Sequence, residues 1–204
     1  MSVTIVKLGG SLACSPLRKA WLDALVTWGK PFILVPGGGP FANCVRVAQD
    51  HMGFSDATAH RMALLAMEQF AIALAAHSDK FSLAASRDEI EGVLNAGNIP
   101  VWLASEMVLA TPDVPVSWDM TSDSLAAWLA GTLRARRLLL VKSRDPVAAV
   151  SVHGIATDKI VDPLFPDFAA RSQAEIWLAG PASLPGALQI LQSGGMPGIA
   201  VECA

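Results

Sequence analysis

Short apolar runs alternate with longer stretches of helical periodicity along almost the whole chain. The runs at 3–8, 32–35, 99–103, 137–141, 175–179 and 198–201 include several that are near-continuous rather than alternating. That is the pattern of strands covered on both faces in a parallel sheet. Between them, helical patterns occupy 17–28, 41–52, 56–77, 87–96, 122–136 and 183–193. Strand and helix in this alternation predict an α/β fold with a mainly parallel sheet and right-handed crossovers. The segment 142–168 breaks the rhythm: it holds three prolines and scattered charges, and reads as loops and short pieces. A soft boundary near Arg136 divides a longer N-terminal lobe, 1–136, from a shorter C-terminal lobe, 137–204, read as one continuous structural domain. No internal repeat and no low-complexity segment is present.

Composition narrows the classes. Of 204 residues, 52% are hydrophobic and 16% charged, so the chain can fill a large core and still leave apolar surface, which favours a homo-oligomer, a dimer by default. A formal net charge of −3, without a cluster of Lys and Arg interleaved with aromatics, argues against a nucleic-acid platform. The most apolar stretch, 62–76, is interrupted by Glu68 and Gln69 and is short of the roughly 20 residues that span a bilayer. The opening MSVTIVKL has no basic region followed by a long apolar segment; it reads as a first strand rather than a signal peptide. Cys14, Cys44 and Cys203 are widely spaced and form no CxxC pair, which fits free thiols in a reducing cytoplasm.

Candidate chemistry concentrates at strand ends. The first strand closes in Lys7-Leu8-Gly9-Gly10-Ser11 and the second in Pro36-Gly37-Gly38-Gly39-Pro40, which opens a helix. Ligands of open α/β sheets bind beyond the carboxyl ends of the strands. Glycine there permits positive φ and brings backbone N–H groups close to an anion, and a helix N-terminus adds about 0.3–1 kcal/mol for a facing charge. Two such loops can cradle two phosphates, with the Lys7 ammonium on phosphoryl oxygens. A plainer role as tight strand-to-helix turns is the alternative. A third loop, Ser117-Trp118-Asp119-Met120-Thr121-Ser122-Asp123-Ser124, has several residues able to cap the helix it opens. Its carboxylates, Asp119 and Asp123, can also orient phosphate-binding lysines or hold Mg²⁺.

Taken together, VKLGGSL at 6–12, PGGG at 36–39 and SWDMTSDSLAAWLAG at 117–131 resemble the amino acid kinase family. The resemblance implies a three-layer αβα sandwich, ATP and Mg²⁺ as cofactors, and γ-phosphoryl transfer to a small molecule. It further implies that Lys7 stabilises the transferring phosphoryl, that Gly9, Gly10 and Ser11 face the nucleotide phosphates, and that Gly37, Gly38 and Gly39 face the acceptor. Asp123 resembles the aspartate that organises the catalytic lysines. His60, Trp118, Asp119, Thr121 and Ser122 resemble acceptor contacts, His60 having the alternative of an ordinary helix-surface histidine. The third loop, AHRMALLAM at 59–67 and VDPLFP at 161–166 are similar to the branch that phosphorylates an aminomethylfuran phosphate in methanofuran-type cofactor biosynthesis, so the implied acceptor is a phosphate monoester.

The chain departs from the family after the first strand of its C-terminal lobe, 137–141, where Lys142-Ser143-Arg144-Asp145-Pro146 replaces the usual Thr-Asp pair and Val-Asp-Gly turn. Beyond Val141 only Lys142 and Lys159 remain as a second catalytic lysine. Lys142, at a strand's carboxyl end, fits better, and with Asp145 it would serve the nucleotide. Two rivals follow: a family member that binds a metabolite or partner without ATP turnover, and a dinucleotide-binding oxidoreductase read from Gly37-x-Gly39-x-x-Ala42, with Asp56 as its acid. No Walker A or G-x-S-x-G sequence is present, and His51, His60, His77 and His153 lack metal-ligand spacing.

Overall fold

The computed structural model describes residues 3–146 and 151–203. Among them, seven strands form one sheet: β1 (Thr4–Leu8), β2 (Phe32–Pro36), β3 (Phe81–Ala84), β4 (Ile99–Trp102), β5 (Arg137–Val141), β6 (Glu175–Ala179) and β7 (Ile199–Val201). Their order is β3-β4-β2-β1-β5-β6-β7. Every pairing is parallel except β6 with β7. The helices are α1 (Leu17–Trp28), α2 (Gly39–Met52), α3 (Asp56–Ala75), α4 (Arg87–Asn95), α5 (Ser105–Leu109), α6 (Ser122–Thr132), α7 (Val152–Thr157), α8 (Phe165–Ser172) and α9 (Ala187–Gln192). None is long and apolar enough to cross a membrane.

Side-chain alternation along the central strands builds two cores. Ile5 of β1, Ile33 and Val35 of β2, and Leu138 and Leu140 of β5 pack with α6 and α8 on one face. Val6, Leu8, Leu34, Leu139 and Val141 pack on the other with Trp21, Leu22 and Leu25 of α1 and with α9. The result is the expected αβα sandwich, its sheet running unbroken from β2 through β1 to β5 across position 136.

Four differences from the sequence pattern have local causes. β3 escapes periodicity because it is a four-residue edge strand with Leu83 38% exposed, too short and too open for an apolar run to stand out. α6 stops at Thr132 instead of 136: Ala135 N–H donates to the Ala130 carbonyl (2.8 Å), Arg134 N–H to that of Gly131, and Arg134 takes φ 51°. This is a Schellman-type stop with arginine at the left-handed position. Within the proline-rich 142–168, α8 forms because Pro166 falls in its first turn, where the missing N–H costs nothing. The expected helix at 183–193 shrinks to α9, preceded by a 3-10 turn at Pro181–Ser183 and capped by Gly186.

Candidate active site

The strand order reverses beside β1: β2, β4 and β3 lie to one side, β5, β6 and β7 to the other. At such a switch point the loops leaving adjacent strands diverge and open a crevice. Three loops leave here. Leu8 is in register with Pro36 and with Val141, so Gly9, Gly37 and Lys142 start at one level. Lys7 is paired with Leu140, two residues before Lys142, and the two-residue period puts both lysines on one face of the sheet. That face is the one α6 covers. Both lysines are buried, 3% and 8% exposed.

Asp123, in the first turn of α6, meets them. Its Oδ1 lies 2.6 Å from Lys7 Nζ, and its Oδ2 accepts a hydrogen bond from Lys142 Nζ at 2.6 Å. Lys7 approaches outside hydrogen-bonding alignment, which leaves Oδ1 without a directed donor. Burial alone would raise the Asp123 carboxyl; Lys142 and then Lys7 overcome it and hold it at about 2. Burial lowers the Lys142 ammonium to about 8, with Lys7 pushing the same way and Asp123 and Asp162 resisting. Two ammonium groups thus share the Asp123 carboxylate at a buried position, with Asp162 acting on Lys142 from beyond it. Such a site stabilises added anionic oxygens strongly. Lys159, the other candidate, is exposed, and its carbonyl receives Arg144 Nη2 at 3.0 Å.

The two glycine loops lie back to back. A Cβ on Gly10 would stand 2.3 Å from Gly39 N, and one on Gly37 would stand 2.3 Å from Gly10 N. Glycine is therefore required first by loop-against-loop packing. Gly9 N–H is spent on the Val141 carbonyl and Gly37 N–H on that of Leu8, each at 2.9 Å. Among the described residues, nothing accepts from the N–H groups of Gly10, Ser11, Gly38 or Gly39. These four amides, two of them at the N-terminus of α2, are left without an acceptor. Ser11 also reaches the C-terminal half, donating from Oγ to Ser143 Oγ at 2.8 Å.

Beside these loops opens a cavity of about 430 Å³ between α2, α3 and the third loop, the size of a small-metabolite pocket. Gly10, Ser11, Gly38, Gly39, His60, Trp118, Thr121 and Ser122 of the expected set line it. Asp56, His60, Leu64 and Met67 contribute one face of α3 at helical spacing. His60 is half-buried, and burial lowers its imidazole below the ordinary value. Asp56 opens α3 instead of ending a strand, which removes the ribose-binding acid that the dinucleotide reading needs. Asp119 is exposed and stands off the cavity; its carbonyl receives Leu164 N–H at 3.3 Å. Asp145 is likewise engaged elsewhere: its carboxylate accepts from Ala182 N–H at 3.0 and 3.2 Å and packs over Gly180.

Sequence reasoning missed three groups. Arg46 lines the cavity and lays its guanidinium over the Trp118 ring, 4.4 Å from the centroid. Gln49 accepts from Trp118 Nε1 at 2.7 Å and donates to Asp56 Oδ1 at 2.8 Å. Their only sequence signal is helical spacing from Gly39 and Pro40. The third group is Asp162, 6% exposed, whose carboxylate accepts from Thr121 N–H (3.0 Å), Thr121 Oγ1 (2.7 Å), Ser124 N–H (3.1 Å) and Ser124 Oγ. Among the described residues no cluster of His, Cys, Asp or Glu is gathered to hold a metal.

Comparison with known proteins agrees with this geometry. The chain is 31% identical over 151 residues to the (5-(aminomethyl)furan-3-yl)methyl phosphate kinase of Methanocaldococcus jannaschii, covering 70% of this chain and 67% of that one. Its fold matches the uridylate kinase of Archaeoglobus fulgidus with a TM-score of 0.74 at 15% identity, over 99% of this chain and 100% of the other. The aspartate kinase of Synechocystis matches with a TM-score of 0.67 at 12% identity, over 97% of this chain and 40% of its own. The family model for the amino acid kinase family matches residues 2–199. A match that spans both halves of the sheet and all three loops leaves one conclusion: the chain belongs to the amino acid kinase family.

Proposed function

We propose that the protein moves the γ-phosphoryl of ATP in line onto a small phosphate monoester, a compound like the aminomethylfuran phosphate named for the M. jannaschii relative. The observation that carries this reading is the Lys7–Asp123–Lys142 cluster at the carboxyl ends of β1 and β5, next in sequence to Ser122, which lines the cavity, although none of the three lines it itself. In this reading the acceptor lies in the cavity of the N-terminal lobe, 1–136, against His60, Trp118, Thr121 and Ser122. The nucleotide lies over the C-terminal lobe, 137–204, and its phosphates reach the open amides of Gly10 and Ser11. An acceptor oxygen forms the new bond to Pγ as the bond from Pγ to the bridging oxygen of ADP breaks. A phosphate monoester is largely dianionic at pH 7, with a second pKa of about 6, so it attacks without a general base. Positioning and charge stabilisation then suffice.

Lys7 and Lys142 meet the charge that gathers on the transferring phosphoryl, and Asp123 holds them in place. Both oxygens of Asp123 already face ammonium groups, so the residues form no resident Mg²⁺ site; the ion would arrive on the nucleotide phosphates as part of the substrate. Exposed apolar side chains on α2 and α3, Met52 at 75%, Val47 at 58%, Ile72 at 57% and Leu65 at 52%, support a pair of copies in solution, which sedimentation would read.

The test is a coupled ADP-release assay over phosphate monoesters, alcohols and carboxylates, with Lys7→Ala as the control. Turnover is expected with a monoester, and Lys7→Ala should lose about 10²–10³ in kcat while still binding both ligands. Lys7→Ala turning over at the wild-type rate would refute the assignment. Absence of heat on titration with Mg·ATP would replace it with the alternative of a family member that binds a metabolite or partner and does not use ATP.

A further inference from the structure

We propose that Asp162 is a positioning residue of the phosphoryl-transfer site, locking the acceptor-side loop and Asp123 to the C-terminal half of the chain. The inference rests on the kinase reading above and concerns a group that reading leaves unused. Asp162 is a buried carboxylate whose partners all come from one short stretch 38 to 41 residues earlier. It takes Thr121 N–H, Thr121 Oγ1, Ser124 N–H and Ser124 Oγ. Between those two anchored residues sit Ser122, which lines the cavity, and Asp123, which holds both lysines. The carboxylate therefore straddles the group on which the charge machinery turns.

The chain had a local way to cap α6 and uses it weakly: Thr121 Oγ1 is 3.5 Å from Asp123 N–H, at the limit of a hydrogen bond. The firm contacts go to Asp162 instead. Its own segment is fixed in turn, since Phe165 N–H donates to the Asp162 carbonyl at 3.1 Å at the start of α8, and Leu164 N–H to the Asp119 carbonyl. Two stretches from opposite halves are stitched at three consecutive levels, at 119, 121 and 124. A side chain that only stabilised a helix end would not need to sit in the other half of the molecule.

Charge adds a second consequence. Lys142 is faced by Asp123 from α6, by Lys7 from β1 and by Asp162 ahead of α8, and Asp162 helps keep its proton on. Burial and the neighbouring Asp123 raise the Asp162 carboxyl itself, against the hydrogen bonds of Ser124 and Thr121. Removing its charge withdraws support from a lysine that must be cationic to meet a phosphoryl group.

The experiment is Asp162→Asn, which keeps shape but turns NH₂ donors toward existing donors. We expect kcat to fall about 10- to 100-fold, the range for groups that orient ligating or catalytic side chains, with a smaller change in acceptor KM. The alkaline limb of the kcat profile should move to lower pH. A variant with a lowered Tm, unchanged kcat and an unmoved limb overturns the proposal, leaving Asp162 as a helix cap. Should Asp162→Asn not fold, Ser124→Ala removes one donor and is expected to lower kcat in the same direction by a smaller factor; wild-type kcat there overturns it too. If the wild-type protein turns over no acceptor, the kinase reading falls. The proposal is then decided in the ligand-free protein by the NMR titration of Lys142, which Asp162→Asn must shift downward.

Discussion

Replacing Asp123 with Asn tests the electrostatics of the site without a change of shape. In the native protein both ammonium groups lie 2.6 Å from its oxygens, and the Asp123 side chain is 7% exposed. Breaking a buried pair from one side costs about 3–5 kcal/mol, because the remaining charges stay buried and uncompensated. For a chain of this size each kcal/mol moves Tm by about 2–4 °C, so the variant should melt roughly 6–20 °C lower at pH 7. The pH dependence makes the prediction specific. The Asp123 carboxyl drops from 3.8 to about 2 on folding, which corresponds to about 2 kcal/mol. A depressed carboxylate contributes in full above its unfolded value and loses the contribution as pH falls through the folded one. As far as Asp123 itself is concerned, the gap between wild type and Asp123→Asn should therefore narrow from pH 4 downward and be level above about pH 5. Lys142 adds a second narrowing as pH rises toward about 8, beyond which both proteins respond alike. Without Asp123 the Lys142 ammonium falls below about 8, so the variant sheds that buried proton earlier, and stability rises with pH wherever the unfolded chain binds more protons. Denaturant titrations followed by tryptophan fluorescence from pH 3 to 9 read all three regions. A gap under about 0.5 kcal/mol at pH 7, or one that widens toward pH 3, refutes the ion-pair account.

Two further outcomes follow from the same geometry. On the proposed mechanism Lys142 works as an ammonium, so kcat should decline as pH rises through about 8, and a profile flat to pH 10 would remove Lys142 from the transition state. Gly10→Ala puts a methyl 2.3 Å from the Gly39 nitrogen, backbone that cannot rotate away. The loops must separate, and we expect a loss of about 1–3 kcal/mol, as for overpacking, together with weakened acceptor binding. Thermal melts and acceptor titrations check this, and a variant with wild-type Tm and affinity would show that the two loops are not in contact.

The sequence carried the sheet because its central strands are buried on both faces, and near-continuous apolar runs such as 137–141 have no other reading. It carried the candidate loops because glycine and lysine at strand ends are conspicuous against an apolar background. What it could not carry was distance. Nothing in the spacing of Lys7, Asp123 and Lys142 says that they meet; that follows from a register pairing Lys7 with Leu140 and from α6 crossing the same face. Arg46 and Gln49 look like ordinary surface positions of an amphipathic helix until α3 folds back along α2 and makes them a wall. Asp162 lies in the proline-broken stretch that reads as loop, and its importance comes from partners about forty residues away. Asp119 and Asp145 illustrate the converse. Each is a carboxylate in a suggestive sequence context, and in the folded chain the first is exposed off the cavity and the second is tied to a backbone amide.

The unusual stretch after β5 bears on ATP use less directly than its sequence suggests. The position of Lys142 depends on the β1–β5 register and on the two-residue period of the strand, not on the turn that follows. The charge cluster therefore depends on 143–161 only through what that stretch does to the pairing of β5 and to the place of Asp162. What that stretch contributes is different in kind: Asp145 braces the turn after β6, and Asp162 braces the loop before α6. Whether nucleotide binding and the charge cluster belong to one site is then a question that titration answers. A Lys142 titration near 8 that is moved by Mg·ATP would mean the two are joined in one site. The same titration, indifferent to nucleotide but moved by a phosphate monoester, would mean that the cluster serves the acceptor alone.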